Sequence, residues 1–393
     1  MKQLNLKEKL TFPQGNSVLY RYFMLIQYFI YKTLGLAPWA ANNYGVIYKN
    51  PDISDKNDLC KISYVGSCYN ILLFLLISLL CLFFDVNESY LNTSLGSILE
   101  ITSVKFLMTS ILFTSLIPII YIVRQKLLIS VFNRLNEVDK KLNKCGNCVV
   151  ENDYRNCLVF TLNFFMMAAI IIIMMTYSSL SMPMVILRNS ATTIGGAVMV
   201  QYGMIISTIN KRFKIINLKI SNLGNIRNNF PQTLEPSVIQ ILPSNESVLV
   251  DVGNLKNTYI ELCEVCEDID NFYGLPILIS IFFNGTRSIF ILYFLGLELM
   301  GVEKQNNVIP YQLGTFLTRN VLLFTVLTSG VTSLLKQTQK TKKIVNLLTD
   351  RFSVDRKIEK KLAKFSSDLS DLKIHFSACN ILPLDRTLLT IVS

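Results

Sequence analysis

The sequence predicts an all-α, polytopic membrane protein: a seven-transmembrane helix bundle with a cytoplasmic N-terminus and long cytoplasmic helical extensions. Three observations carry this expectation. Of the 393 residues, 51% are hydrophobic and 17% charged, short of the roughly 25% charged residues of an ordinary soluble protein. The apolar residues gather in stretches close to the roughly 20 residues that a bilayer-crossing helix needs. The linkers between those stretches alternate between rich and poor in Lys and Arg, the pattern expected when basic loops are retained on the cytoplasmic side.

Six apolar segments are long enough to span, at 63–84, 101–123, 157–181, 191–209, 274–300 and 311–335, and a seventh opens at 382. The seventh runs for about 12 residues before Ser393, short of the roughly 20 that a span requires, so the last helix is expected to be cut short. Linker 85–100 has no Lys or Arg, and 182–190 and 301–310 have only Arg188 and Lys304. By contrast, linker 124–156 carries Arg124, Lys126, Arg134, Lys140, Lys141, Lys144 and Arg155; linker 210–273 carries Lys211, Arg212, Lys214, Lys219, Arg227 and Lys256. A further basic run extends from Lys336 to Lys373. The N-terminus and the basic linkers therefore read as cytoplasmic. Two glycosylation sequons, at Asn87 and Asn92, fall on the opposite side, as glycosylation requires. Sequons at Asn245 and Asn284 fall on the cytoplasmic side or within a helix and are expected to stay bare.

Segment 20–36 is apolar but contains Arg21, Gln27 and Lys32, and a full span there would invert every later loop. It reads as a re-entrant or interfacial amphipathic helix within a cytoplasmic segment 1–62, ended by Gly35-Leu36-Ala37-Pro38. In 248–273, Val250, Val252, Leu255, Tyr259, Leu262, Cys266 and Ile269 recur at mostly helical spacing, predicting a helix that runs into the fifth span. The stretch 343–374 behaves alike, so 336–381 reads as cytoplasmic anchor helices.

The net charge of +11 is spread between apolar stretches, which fits a cytoplasmic membrane face and not a nucleic-acid surface. Residues 1–16 are polar and have no signal-peptide core. None of the nine cysteines falls in an external segment, so reduced thiols are expected. The pairs Cys145/Cys148 and Cys263/Cys266 have zinc-ligand spacing, but Cys266 is required on the apolar face of its helix, and no metal or cofactor is expected. Metalloprotease, P-loop and dinucleotide signatures are missing, and the sole histidine, His375, has no nucleophile beside it; the chain does not read as an enzyme.

Ionisable residues inside spans are costly and are candidates for function. Arg287 lies midway through the fifth span and Arg319 two turns into the sixth, where Glu298 is a candidate partner; Lys105 is near enough to the interface to snorkel. Candidate ligand-binding residues are Arg319 with Thr176, Tyr177, Gln201, Tyr202, Tyr293 and Gln312, although each of these polar groups could instead bond a neighbouring helix.

The run Phe365-Ser-Ser-Asp-Leu-Ser-Asp-Leu-Lys-Ile-His375-Phe376-Ser377-Ala378-Cys-Asn-Ile-Leu-Pro-Leu384-Asp385-Arg386-Thr387-Leu388-Leu389 resembles the entry into the last helix of the insect gustatory receptor family. There an aromatic-Ser-Ala element precedes an apolar-Asp-Arg-x-Leu-Leu element. Two further stretches are similar to that family: Glu267 to Pro276, with Asp270, Phe272 and Gly274, and Leu34-Gly35-Leu36-Ala37-Pro38. The resemblance implies a ligand-gated cation channel of the plasma membrane, a homo- or hetero-tetramer gated by a small-molecule tastant. It also implies a pore lined by the last helix, starting at Asp385, Arg386, Leu388 and Leu389, and a ligand pocket open to the outside. The family's Thr-Tyr and Gln-Phe signature is absent because the chain ends first, so the chain as written is expected not to conduct by itself. A G-protein-coupled receptor would need an external N-terminus and an Asp-Arg-Tyr motif after the third helix, and a transporter would need repeated, Gly/Pro-broken halves; neither pattern is seen.

Overall fold

The computed structural model describes residues 16–41, 60–91, 98–144, 154–177, 182–226, 245–300, 309–352, 356–372 and 374–388. Six of its helices are long and apolar enough to cross a bilayer: α2 (Tyr64–Leu91), α3 (Ile98–Val123), α5 (Tyr154–Tyr177), α6 (Met182–Ile226), α7 (Asn245–Leu299) and α8 (Ile309–Arg351). Their placement follows side-chain polarity. Helix α2 leaves Leu72, Leu75, Leu76, Leu79 and Leu82 exposed, a stripe suited to lipid and costly in water. Helix α6 is enclosed by α3, α5, α7 and α8, and Ala197, Val198, Val200 and Tyr202 have no exposed surface.

The N-terminal helix α1 (Asn16–Thr33) is not among the six. It leaves Tyr22, Ile26 and Phe29 exposed and turns Gln27 and Tyr31 inward, where the Gln27 amide and the Tyr31 hydroxyl both meet the Met204 sulfur of α6, at 3.2 and 3.8 Å. The turn after it needs the positive φ of Gly35, +75°, which glycine adopts without strain. That turn is clasped: Asn70 Nδ2 of α2 donates to the carbonyls of Gly35 (2.7 Å) and Pro118 (3.0 Å), and Leu36 is fully buried. Strand β1 (Ala40–Ala41) then pairs antiparallel with β2 (Cys60–Lys61).

At one end of the bundle, α6, α7 and α8 run far beyond any membrane thickness. Helix α7 has 55 residues, about 82 Å at the helical rise of about 1.5 Å per residue, against a hydrocarbon core of about 30 Å. The expected linkers are thus helices. Beyond 209, α6 continues because Phe213, Ile216 and Ile220 keep an inward stripe. Linker 124–156 contains α4 (Gln125–Lys144), whose Leu128, Val131, Leu135, Val138 and Leu142 are buried at alternating three- and four-residue spacing. The 343–374 stretch is divided, with α8 ending at Arg351 and α9 (Arg356–Asp371) burying Ile358, Leu362, Phe365 and Leu369. Phe213, Tyr259 and Phe365 stack edge to face across α6, α7 and α9, with centroids 5.2 and 5.9 Å apart.

Charged side chains rim this extension core. Arg212 of α6 forms a two-point bond with Asp139 of α4, at 2.8 and 2.5 Å, and Arg134 pairs with Asp268 (2.9 Å) and Glu264 of α7. Cys263 and Cys266 are buried on the inner face of α7, while Cys145 and Cys148 lie outside the described residues.

The start of the expected seventh helix is shifted. Leu382–Pro383 is not helical but forms β4, paired with β3 (Ser377–Ala378) around a turn in which Cys379 and Asn380 have φ of 55° and 59°. The hairpin docks on α7: Ser377 N–H donates to Asp270 Oδ1 at 2.8 Å, and Gly274 lies under Cys379. A helical turn opens only after Asp385, whose carboxylate accepts from the Thr387 N–H at 2.9 Å as an N-cap does. Leu384 and Leu388 are buried, and Leu389 lies outside the described residues.

Replacing Asp270 by Ala removes the acceptor that holds Ser377. Losing such a bond exposes the amide by about 1–2 kcal/mol, so hydrogen exchange at Ser377 in detergent-solubilised protein should accelerate roughly 5–30-fold. Asp270→Asn, which keeps an oxygen there, should retain most of the protection.

Candidate functional site

Between the extensions and the opposite end, four helices bring polar side chains together in an otherwise apolar interior. At the centre is Arg319 of α8, with no exposed surface. A guanidinium in the middle of a bilayer costs about 2.5–3.5 kcal/mol on insertion scales. Two hydrogen bonds answer that cost: Nε donates to Asn163 Oδ1 of α5 at 3.0 Å and Nη2 to the Thr192 carbonyl of α6 at 2.9 Å. Each hydrogen bond from a charged donor contributes about 1.5–3 kcal/mol, so two suffice to offset the insertion cost. Nη1 is buried and has no hydrogen-bond partner among the described residues.

The Thr192 bond depends on a missing side chain. A carbonyl has two lone pairs, one engaged within the helix and one free, and Arg319 can reach the free one only if the next turn of α6 is bare. That turn carries Gly196, where an added Cβ would stand 1.9 Å from Arg319 Nη2. Gly195 beside it lets α6 approach α7, since a Cβ there would meet Asn284 Nδ2 at 3.0 Å.

A second cation reaches the same point. Arg287 of α7, partly buried, lies over the Phe316 ring at 4.7 Å, and its Nη1 makes long contacts with the Thr192 hydroxyl (3.3 Å) and the Arg188 carbonyl (3.4 Å). Next to it, Asn320 Nδ2 donates to Ser288 Oγ (2.8 Å) and the Asn284 carbonyl (3.3 Å). Besides Arg319 Nη1, the Oδ1 atoms of Asn189, Asn284 and Asn320 are buried without a hydrogen-bond partner among the described residues. One cationic donor and three amide acceptors are therefore left to be satisfied, each at a cost of about 1–3 kcal/mol.

The residues named from sequence do not form one site. Arg319 belongs to this layer through Asn163 and Thr192, while the side chain of Glu298, its candidate partner from the sequence, lies outside the described residues. Gln201 and Tyr202 lie nearer the extensions. There the Tyr121 hydroxyl donates to Gln201 Oε1 at 2.7 Å, Gln201 Nε2 donates to the Leu36 carbonyl at 3.3 Å, and Tyr202 stacks on Tyr273 at 5.4 Å. Thr176 and Tyr293 are exposed, with the Thr176 hydroxyl on the carbonyl of Ile172 in its own helix. The side chains of Tyr177 and Gln312 lie outside the described residues. Asn87 is in the last turns of α2, and Asn92 is outside the described residues.

The chain as a whole has known counterparts. The family model described as 7tm Chemosensory receptor matches residues 24–392, nearly the whole chain. The chain belongs to the 7tm Chemosensory receptor family. This is a family of membrane receptors and not of enzymes. The fold of this chemosensory receptor is similar to that of the insect olfactory receptor OR5 from Machilis hrabei, with a TM-score of 0.60 over 95% of each chain at 11% identity. No curated protein sequence matches the receptor.

Sequence reasoning found Arg319 and Arg287 in the receptor because charges in apolar runs stand out. It missed Asn163, Thr192, Gly196 and Asn320, which are common residues with no rule marking them singly. The usable signals were the Gly195-Gly196 pair inside a span and the Asn163 amide in the apolar run of α5.

Gly196→Ala should force the guanidinium off the Thr192 carbonyl, since Arg319 has no exposed surface into which to retreat. Overpacking of this kind costs about 1–3 kcal/mol, which should appear as a lowered melting temperature in detergent. Gly285→Ala, with open space around its Cβ, should leave the melting temperature unchanged or slightly raised.

Proposed function

We propose that the chain is a gustatory receptor: a subunit of a ligand-gated cation channel that detects a small-molecule tastant at the plasma membrane, as a homo- or hetero-tetramer. The observation that carries this reading is Arg319, a guanidinium with an unsatisfied Nη1, held among polar groups from four helices in the apolar middle of the bundle. Polar groups that only tied the helices together would satisfy one another; unsatisfied polar groups converging in an apolar surround mark a ligand site.

On this reading the extension end is cytoplasmic, together with the N-terminus, because the basic residues concentrate there. The ligand enters from the opposite side, past Thr176, Tyr177, Tyr293 and Gln312 near the far ends of α5, α7 and α8, and meets Arg319 at depth. Gln201 and Tyr202, one layer further in, couple the ligand level to the α1 turn and to Tyr273. From there the Asp270–Ser377 contact leads to Asp385, Arg386, Leu388 and Leu389, where the pore helix begins. Asn87 and Asn92 are glycosylated on the outer side.

One experiment tests both halves of the proposal. Cells co-expressing the tagged chain with other receptor subunits of its family are challenged with a tastant panel while calcium entry is recorded. Epitope tags at the N-terminus and within 336–373 should stain only after permeabilisation. Arg319→Leu should weaken the ligand response roughly tenfold or more at comparable surface expression, the loss expected for a buried polar contact to ligand. Staining of intact cells would contradict the orientation. An unchanged response from Arg319→Leu would contradict the site.

A further inference from the structure

We propose that the polar layer around Arg319 and Arg287 is an anion-binding site, and that its ligand is a small organic carboxylate or a chloride ion. The inference deepens the receptor reading and rests on it for the site's role in ligand recognition.

Charge is the first argument. Arg319 and Arg287 converge on one residue: Nη2 of Arg319 is 2.9 Å from the Thr192 carbonyl, and Nη1 of Arg287 is 3.3 Å from the Thr192 hydroxyl. Two guanidiniums so close repel strongly in a low-dielectric surround, yet among the described residues no carboxylate is paired with them. Helices α5, α6, α7 and α8 carry no Asp or Glu in 154–177, 182–210, 274–297 and 309–349. Glu298 lies about 16 Å beyond Arg287 along α7 at the helical rise of about 1.5 Å per residue. The ion pairs found among the described residues, such as Arg212–Asp139 and Arg134–Asp268, all lie in the extensions. A buried charge is normally paired, and here the described residues of the bundle supply cations without a counter-charge.

Geometry is the second argument. Two of the Arg319 nitrogens are spent on Asn163 and Thr192, while Nη1 is left buried and empty-handed. Arg287 is only partly buried and rests on the face of Phe316, so its guanidinium borders both the layer and the outside. An anion seated between them would take the free Nη1 hydrogens, cancel the repulsion and tighten the long Arg287 contacts. Planar guanidiniums favour carboxylates for their two-point match. A neutral polyol would answer the free Oδ1 atoms of Asn284 and Asn320 but would leave both positive charges uncompensated. Charge decides against it.

The test uses the full chain in lipid nanodiscs, in a chloride-free HEPES buffer, with melting temperature as the readout. Short-chain monocarboxylates of two to eight carbons, their methyl esters, and chloride are titrated separately. Binding of a carboxylate should exceed that of its ester by at least about 30-fold, the loss expected when a buried charge pair is deprived of one partner. Arg319→Gln, and independently Arg287→Gln, whose long contacts make it the less disruptive change, should abolish that preference. Asn163→Asp, which supplies a carboxylate from within, should raise the melting temperature in the absence of added anion and suppress the response to it. If chloride alone stabilises and carboxylates do not displace it, the anion is a resident chloride; if carboxylates compete it away, they are the ligands; either result supports an anion site. Equal binding of acids and esters, unaffected by both arginine variants, would overturn the anion inference while leaving the receptor reading intact. A protein stabilised by no carboxylate and by no chloride would overturn it as well, whereas the calcium response to neutral tastants tests the receptor reading separately.

Discussion

A guanidinium with no exposed surface, standing among four helices that are otherwise apolar, sets conditions that the rest of the bundle has to meet. Arg319 needs an acceptor from α5, and Asn163 is there; it needs a backbone carbonyl from α6, and only the bare turn at Gly196 lets it reach Thr192. Those two bonds tie α5, α6 and α8 at one level and fix the rotation of each about its axis. Helix α7 joins the same level through Gly195, Asn284 and Ser288. In lipid, where apolar surface drives no association, such polar and close-packed contacts decide which helices meet.

The other end of the bundle is organised differently. Below the membrane level, water is available and apolar stripes can drive packing, so the extensions form a conventional amphipathic core of Phe213, Tyr259 and Phe365 with a rim of ion pairs. The two regimes meet in a layer that includes the Gln201, Tyr121 and Leu36 contacts and the docking of Ser377 on Asp270. The three stretches that carry the resemblance to the insect gustatory receptors all fall at this junction: the Gly35 turn, the Asp270 to Gly274 stretch, and the Ser377–Ala378 strand. Such residues are specific because each has a backbone requirement, a positive φ, a missing Cβ or a fixed acceptor, that few side chains meet.

That distinction explains what could be read from the sequence. The six long helices were legible because hydrocarbon thickness demands a run of apolar residues that nothing else in a protein requires. Arg319 and Arg287 were legible for the same reason, as violations of that run. Helix ends were not: α2 continues to Leu91 and α6 to Ile226, since a helix leaving the membrane changes from all-round apolar to one-faced without any breaking residue. Helix α4 was read as a basic linker because its lysines and arginines masked the buried stripe Leu128, Val131, Leu135, Val138 and Leu142. The polar layer was the least legible, since Asn163 and Gly196 acquire meaning only when the packing of α5, α6 and α8 places them against Arg319. Polar and aromatic residues within spans, such as Gln201 and Thr176, proved to be distributed over different levels of the bundle.

The account stands on the claim that Arg319 and Asn163 form one interacting unit across α5 and α8. A double-mutant cycle in nanodiscs measures this directly, comparing the stability of Asn163→Leu, Arg319→Met and the double variant. Each single change leaves a buried polar group unpaired, whereas the double change removes both, so the double variant should lose at least about 1 kcal/mol less than the sum of the single losses. Additive losses would contradict the coupling and, with it, the layer built around Arg319.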